Sequence, residues 1–394
     1  MRHSQLFTKT SKTAPKDADS INAQLLTRAG YIQKEAAGIY NFLPLGLMLI
    51  KNLSNIVREE LNRIGGQEIL LPVLTPQTSW KKTHRNHLDI LFKTGNLVLN
   101  PTHEEVVTPL MQKYLSSYKD LPKAVYQIQT KFRNEPRAKS GLLRCREFLM
   151  KDMYSFHTDD PDQDRFYLEV KKAYEKIYSR LGIGERTIYT YASGGSFSKE
   201  YSHEFQMLSP IGEDEIFFCE KCRLGFNKEI HASQCLECGN KNLKTASAIE
   251  VGNIFKLKTK FSESFNFKFK DAKGKEKYVI MGCYGLGISR TLGALVEVFH
   301  DSRGIIWPES VSPFKIYLFS VGKDRAAEEI YQKYGNIFYD DRKEISVGEK
   351  MAEADLLGFP YRLIVSEKGW ELKKRSEEKT KIINEKELCL LTTA

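Results

Sequence analysis

Three short runs of this sequence carry residue types that can act on an anionic substrate. In the first, Phe132-Arg133-Asn134-Glu135 is followed by Arg144-Cys145-Arg146-Glu147-Phe148. Residues 124–135 alternate, with Tyr126, Ile128, Thr130 and Phe132 on one face and Gln127, Gln129, Lys131, Arg133 and Glu135 on the other. A strand with one wholly polar face either meets water or floors a polar site. There the planar fork of Arg133 can hold a phosphate or carboxylate, and Glu135 can accept from an amine. Arg144, Arg146 and Phe148 share a face of the next strand and add cations and a stacking ring. Taken alone, the run is equally a hairpin with surface ion pairs.

The second run is GCYGLGISR, Gly282 to Arg290. Glycines before a helix let backbone approach a ligand, and Arg290 in the first turn points a fixed charge there. No Gly-Lys-Ser/Thr follows, and the spacing G-x-x-G-x-G is not the dinucleotide fingerprint. A packing turn explains it as well. The third run is Pro101-Thr102-His103-Glu104-Glu105. Thr102 and Glu104 can bind an amine, and a threonine N-cap followed by acidic first-turn residues is equally natural.

Four of the seven cysteines form a C-x2-C-x12-C-x2-C pattern, Cys219, Cys222, Cys235 and Cys238. That spacing suits tetrahedral thiolate ligation of a structural Zn²⁺, with no position left open for catalysis. Free thiols are the alternative. His231, between the pairs, is read as a surface residue.

These runs need elements to position them. A chain of 394 residues suggests two or three domains. Residues 46–64 read as an amphipathic helix ended by Gly65-Gly66, and 67–74 as a strand. Residues 102–118 read as a helix kinked at Pro109. Strands over 124–135 and 144–156 form a hairpin. A helix spans 163–181, strands lie near 187–191, 200–208, 250–257 and 277–281, and GCYGLGISR opens a helix. The cysteine module occupies about 217–240. Beyond Pro313, alternating strands and helices suggest a separate small α/β domain.

The net charge of +10 suits a polyanionic partner. Residues 1–160 hold 23 basic and 15 acidic side chains and 219–280 hold 13 and 7, whereas 313–394 are balanced at 15 and 15. An RNA-reading C-terminal part must therefore use placed contacts. The N-terminus has no secretory pattern, and the most apolar stretch, 42–50, is too short to span a membrane. A cytoplasmic location is the expectation.

Together the runs resemble the signature motifs of class II aminoacyl-tRNA synthetases, within them the bacterial-type prolyl branch. GIYNFLPLG with its following helix and Pro72 resembles motif 1 (about 38–74), the dimer-interface element. TKFRNEPRAKSGLLRCREFLMKDMYSFH resembles motif 2 (about 129–156), and MGCYGLGISR resembles motif 3 (about 281–299). PTHEE, SHEFQM, IEVGNIFKLKTKFS and DDRKEISVGEKMAEADLLGFPYR match in order, so the resemblance covers nearly the whole chain. It implies an α/β fold in which a class II catalytic domain (1–312), an antiparallel sheet flanked by helices, contains a zinc-ribbon-like module (217–240). An α/β anticodon-binding domain (313–394) follows.

The resemblance also implies roles. Arg133 contacts the α-phosphate of ATP and the amino-acid carboxylate, Glu135 accepts from the adenine amine, and Phe148 stacks on adenine. Arg144 and Arg290 hold the outer phosphates with Mg²⁺, and Glu250 joins the ATP set. Thr102 and Glu104 bind the secondary ammonium of proline, and Cys283 lines the ring pocket with Phe205 as a neighbour. Asn253 stands where the family usually has histidine. Arg342, Lys350 and Asp355 are candidates for reading anticodon bases, against an ordinary Asp341–Arg342 ion pair. The expected partners are L-proline, tRNA(Pro) and a second copy of the chain.

Residues 155–281 leave no room for the editing domain many relatives insert. A pocket sized for proline discriminates poorly against alanine, because missing methylenes are worth only about 1–3 kcal/mol. Clearance of mischarged tRNA by a separate protein is therefore expected. The competing readings are another class II enzyme such as the threonyl one, a non-catalytic RNA-binding paralogue, and a zinc-ribbon nucleic-acid binder.

Overall fold

The computed structural model describes all residues except Lys199, His231 and Ala394, so the reading of His231 lies outside the described residues. The chain divides into two units. One comprises 37–39 and 54–294, the other 1–36, 40–53 and 295–394.

The larger unit is built on a nine-stranded sheet. Its strands are β1 (Gln67–Glu68), β2 (Lys123–Phe132), β3 (Glu147–His157), β4 (Thr187–Ala192), β5 (Ser202–Leu208), β6 (Asp214–Cys219), β7 (Leu224–Asn227), β8 (Lys244–Lys258) and, after the hairpin β9 (Lys268–Lys270) and β10 (Glu276–Tyr278), β11 (Ile280–Gly287). The spatial order is β5-β4-β7-β6-β8-β11-β3-β2-β1, with β5 also paired to β8. The pairs are antiparallel except β7–β4 and β1–β2.

One register row explains which side chains meet. Gln127 lies opposite Asp152, Asp152 opposite Gly285, Gly285 opposite Asn253, and Asn253 opposite Glu204. Residues in register across a sheet share a face. Two residues along the strands, Tyr154, Cys283 and Phe255 form a second row on that face.

The opposite face is covered by helix α3, Asp160–Arg180. Asp159 caps its N-terminus by accepting from the Asp162 N–H at 2.9 Å. Its buried side, Val170, Tyr174, Ile177 and Tyr178, is spaced at helical intervals.

Several elements depart from the sequence reading. Helix α1 spans Pro44–Arg63, close to the expected bounds. Residues 67–74 pair as a strand only at Gln67–Glu68. The Leu71 backbone is served by side chains, its N–H by Gln127 Oε1 at 3.0 Å and its C=O by Gln129 Nε2 at 2.6 Å. Helix α2 is short, Glu104–Met111, and its N-cap is His103 rather than Thr102. The glycine run opens a helix as expected, with Arg290 in its first turn, but its glycines are strand rather than turn. Gly282 to Gly287 stay in β11, and helix α4 begins afterwards, Ile288–Val298.

The smaller unit holds a five-stranded sheet of β12 (Ile316–Ser320), β13 (Ile337–Tyr339), β14 (Tyr361–Ser366), β15 (Gly369–Lys374) and β16 (Thr380–Ile383), in the order β13-β12-β14-β15-β16. Helices Asp324–Lys333 and Val347–Leu357 alternate with β12, β13 and β14, as the pattern beyond Pro313 predicts, whereas β15 and β16 follow β14 directly, before helix Glu385–Thr393. Its core includes Ile316, Leu318, Ile337, Leu363 and Val365. Among the described residues, no helix is long and apolar enough to cross a membrane.

Candidate active site

The polar sheet face floors a pocket of about 200 Å³, lined by Thr102, Arg133, Phe148, Asn253, Cys283 and Arg290 among others. The three runs, separate in sequence, meet there.

At one end sits the amine-binding candidate. Glu104 is fully buried. The Thr102 hydroxyl donates to its carboxylate at 2.8 Å, and the Cys283 thiol donates to its Oε1 at 3.2 Å. Thr102 is thus committed to the glutamate and does not cap the helix. Arg85, which the sequence reading missed, completes the group. It is 4% exposed, and Nη1 lies 3.1 Å from both Glu104 and Glu105. Rings of Phe197, Trp80 and Phe261 surround its guanidinium at 4.5, 5.2 and 5.4 Å. Burial, against the pull of Arg85, pushes Glu105 up to about 7. A lone arginine between polar residues of an irregular segment, 83–91, offers no periodic signal.

Behind this end lies a buried polar layer. Lys131 Nζ is 2.7 Å from Asp152 and 2.9 Å from His103 Nδ1. His103 Nε2 faces the Pro72 carbonyl at 3.0 Å. Burial and then Lys131 lower His103 to about 4. The ring is therefore neutral, donating through Nε2 and accepting through Nδ1.

At the other end are the arginines. Arg133 packs over the Phe148 ring at 5.2 Å, and its buried Nε has no hydrogen-bond partner. Burial first, then the charge of Arg290, lower its pKa. A half-buried cation beside another cation, with a buried donor left over, is arranged for an anion. Arg290 donates to the Leu143 carbonyl at 2.9 Å and to the Glu250 carboxylate at 3.0 Å. Glu135 is held by Arg144 at 2.8 Å, and Arg144 also reaches Glu213 at 2.9 Å. Gly285 opens the floor, because a Cβ there would meet nothing nearer than 4.0 Å. Space in front of the strand is left for a ligand.

Asn253 donates through Nδ2 to Glu250 at 3.1 Å and Glu204 at 3.3 Å. Burial, and then Glu250, push Glu204 up to about 8.

Phe205 is a correction. One residue from Glu204 on β5, it points to the opposite face, where its ring packs against Tyr174 and Tyr178 at 5.0 and 5.4 Å. The two-residue period of a strand excludes it from the pocket.

The four cysteines also meet. Their sulfurs lie within 4.8 Å of one another, and Cys219 and Cys238 Sγ are 3.7 Å apart. Four thiolates around Zn²⁺ at about 2.3 Å stand about 3.8 Å apart, so the residues fit the ion. Each pair sits on a tight turn, closed by Arg223 N–H to Cys219 C=O and Gly239 N–H to Cys235 C=O, both 2.8 Å.

In the smaller unit, Arg342 is held by Asp340 at 2.8 Å and by Glu353, whereas Asp341 pairs with Arg2. The alternative Asp341–Arg342 pair does not form, because Asp340, buried on the strand end, lies nearer. Lys350 is buried and donates to the Asp340 carbonyl at 3.2 Å. Asp355 lies 3.5 Å from Arg362 and 3.9 Å from Arg375.

The fold and pocket are those of a class II synthetase, and the family model "tRNA synthetase class II core domain (G, H, P, S and T)" matches residues 92–299. A proline–tRNA ligase of Anaplasma phagocytophilum is 42% identical over 93% of this chain and 92% of its own. One of Dehalococcoides mccartyi is 32% identical over 97% of both chains. That alignment runs over 554 positions against 394 residues here, so at least 160 (554 − 394) face no residue of this chain. The chain belongs to the proline–tRNA ligase family of class II synthetases. A crystal structure of prolyl-tRNA synthetase from Cryptosporidium parvum complexed with L-proline and AMP shares the fold. Its TM-score is 0.75 at 17% identity, covering 94% of this chain and 77% of that one.

Proposed function

We propose that the protein activates L-proline with ATP and transfers it to the 3′ end of tRNA(Pro). The observation that carries this reading is the pocket with Arg133, whose buried Nε has no hydrogen-bond partner, at one end, and Thr102 and Cys283, backed by the buried Glu104 carboxylate, at the other. Arg133 offers its free donor to the α-phosphate and the proline carboxylate, and Glu104 with Thr102 receives the secondary ammonium. Proline so held presents its carboxylate to the α-phosphorus. The new O–P bond forms as the bond to pyrophosphate breaks. The nucleophile is already ionised, so positioning and charge stabilisation supply the rate, and no general base is assigned.

Phe148 beneath Arg133 is the platform for adenine, and Glu135, oriented by Arg144, accepts from its amine. Arg290, Arg144 and Glu250 face the outer phosphates, whose charge Mg²⁺ brought with ATP would help to neutralise. Cys283 borders the ring pocket, and Asn253, locked by two carboxylates, presents its carbonyl oxygen to the same space. Zn²⁺ on Cys219, Cys222, Cys235 and Cys238 would tie the turns of the small module together, as a structural ion.

The unit containing Arg342, Lys350 and Asp355 is assigned to the anticodon. In their ion pairs, Arg342 and Asp355 present fixed edges rather than free charges. The motif 1 segment supports a homodimer, and the reading places the enzyme in the cytoplasm. The gap of at least 160 positions against the longer relative supports the absence of an inserted editing domain. Alanyl-tRNA(Pro) would then be cleared by a separate protein. Charging a tRNA(Pro) transcript with labelled proline tests the reading. Stable prolyl-tRNA is expected, and no charging by an enzyme that binds ATP would overturn it.

A further inference from the structure

We propose that the β9–β10 hairpin and the turn after α2 form one basic surface that grips phosphates of the tRNA acceptor arm. The inference rests on the tRNA-charging reading above. The two segments are joined by backbone. Lys270 N–H donates to Ser116 C=O at 2.9 Å, Ser117 and Lys270 form a bridge, and Gln112 Nε2 donates to Asn266 C=O at 3.1 Å. The turn exposes Lys113 and Lys119, the start of β2 exposes Lys123, and the hairpin exposes Lys270, Lys273 and Lys275.

Among the described residues, none of these six makes an ion pair. The nearby acids are engaged elsewhere. Asp120 accepts from the Ser116 and Ser117 N–H groups at 3.0 and 2.9 Å, and Asp271 accepts from the Lys273 and Lys275 N–H groups, both at 2.9 Å. These carboxylates hold turns and leave the ammonium groups free. Only Lys268 and Lys277 of the hairpin pair with acids, at 3.5 and 3.1 Å. Tyr114 and Tyr118 stand exposed among the lysines, at 70% and 40%. Lysines interleaved with exposed aromatic rings suit a nucleic-acid backbone and its unpaired bases.

Position favours the substrate's own arm. α2 begins at Glu104, directly behind the pocket-lining Thr102 and Cys283, and ends at Met111, next to the surface, a span of about 12 Å. Along β11, Ile280 beside the hairpin is three residues from Cys283, about 10 Å. A tRNA that places its terminal ribose in the pocket must lay acceptor-arm phosphates within that distance.

The test is the triple variant Lys270→Gln, Lys273→Gln, Lys275→Gln in the full chain, assayed in two reactions. Aminoacylation should show the KM for tRNA raised about tenfold. The slope of log(kcat/KM) against log[salt] should become shallower by about 2, at roughly 0.7–0.9 per lost phosphate contact. Proline-dependent ATP–pyrophosphate exchange, which needs no tRNA, should be unchanged. The triple Lys→Arg variant should charge like the parent. An unchanged tRNA KM and slope would overturn the proposal, and so would an equal fall in both reactions. Loss of exchange in the parent enzyme would instead count against the proline reading.

Discussion

Arg85 Nη1 lies 3.1 Å from Glu104 Oε2 and the same distance from Glu105 Oε1, in a cage of three aromatic rings. One cation between two carboxylates leaves the group with one net negative charge when both are ionised. That charge is the complement of a secondary ammonium. Arg85 is therefore a positioning residue for Glu104.

Arg85→Lys keeps the charge but loses the fork that spans both glutamates. The KM for proline should rise about tenfold while the KM for ATP stays within twofold, because 1.4 kcal/mol of lost orientation is about a factor of ten. Exchange kinetics with proline and ATP varied separately read this out. An unchanged proline KM with a lower kcat would argue that Arg85 only packs.

The phosphate end gives a separate prediction. Arg290→Ala removes the donor anchored by Leu143 and Glu250. Exchange should slow by about 10²–10³-fold, the usual cost of losing a preorganised charge aimed at the transition state. Binding of proline alone, followed by calorimetry, should change little. A variant with parental exchange would remove Arg290 from the mechanism.

Glu204 gives a pH prediction. Its carboxyl is pushed up to about 8 from an ordinary 4.5, by burial and then by Glu250. A carboxyl raised on folding stabilises the fold while protonated. Its contribution is complete below pH 4.5 and is lost as the pH rises through about 8. Glu204→Gln has no proton to lose. Parent and variant should melt alike near pH 4.5, and the variant should gain about 1–3 kcal/mol by pH 8.5. Thermal melts across that window decide it, and a difference independent of pH would contradict the assignment.

The cysteine module predicts one zinc per chain by elemental analysis. Cys219→Ser should lower the metal content and the melting temperature together, since a structural ion contributes its binding energy to folding. Exchange activity measured well below that temperature should persist. A full chain purified without chelator that contains no zinc would contradict the site.

The polar face of 124–135 was legible because a two-residue period over a full strand puts its polar residues on one side, and Arg133 and Glu135 do line the pocket, with Lys131 in the buried layer behind it. The same period, applied one strand further, excludes Phe205: Glu204 and Asn253 share a register row, so the neighbouring ring must turn away. That pairing depends on which strands come together, which no local pattern states. Arg85 was invisible for a related reason, since its partners lie 19 and 20 residues away on a helix start. The glycine run reads as the lead-in to a helix, and α4 does open at Ile288, but nothing local marks the same glycines as strand. Its place in a central strand follows instead from β8 and β3 pairing on both sides of it. The roles proposed for Arg133 and Arg290 came from the resemblance of the motifs to a family, and the spacing alone conveyed only that a cysteine cluster could form.

The most direct measurement is ATP–pyrophosphate exchange by the purified full chain with each of the twenty amino acids. The account predicts strong exchange with proline, weaker exchange with alanine, and none above background with threonine. Exchange with threonine but not proline, or with no amino acid at all, would contradict it.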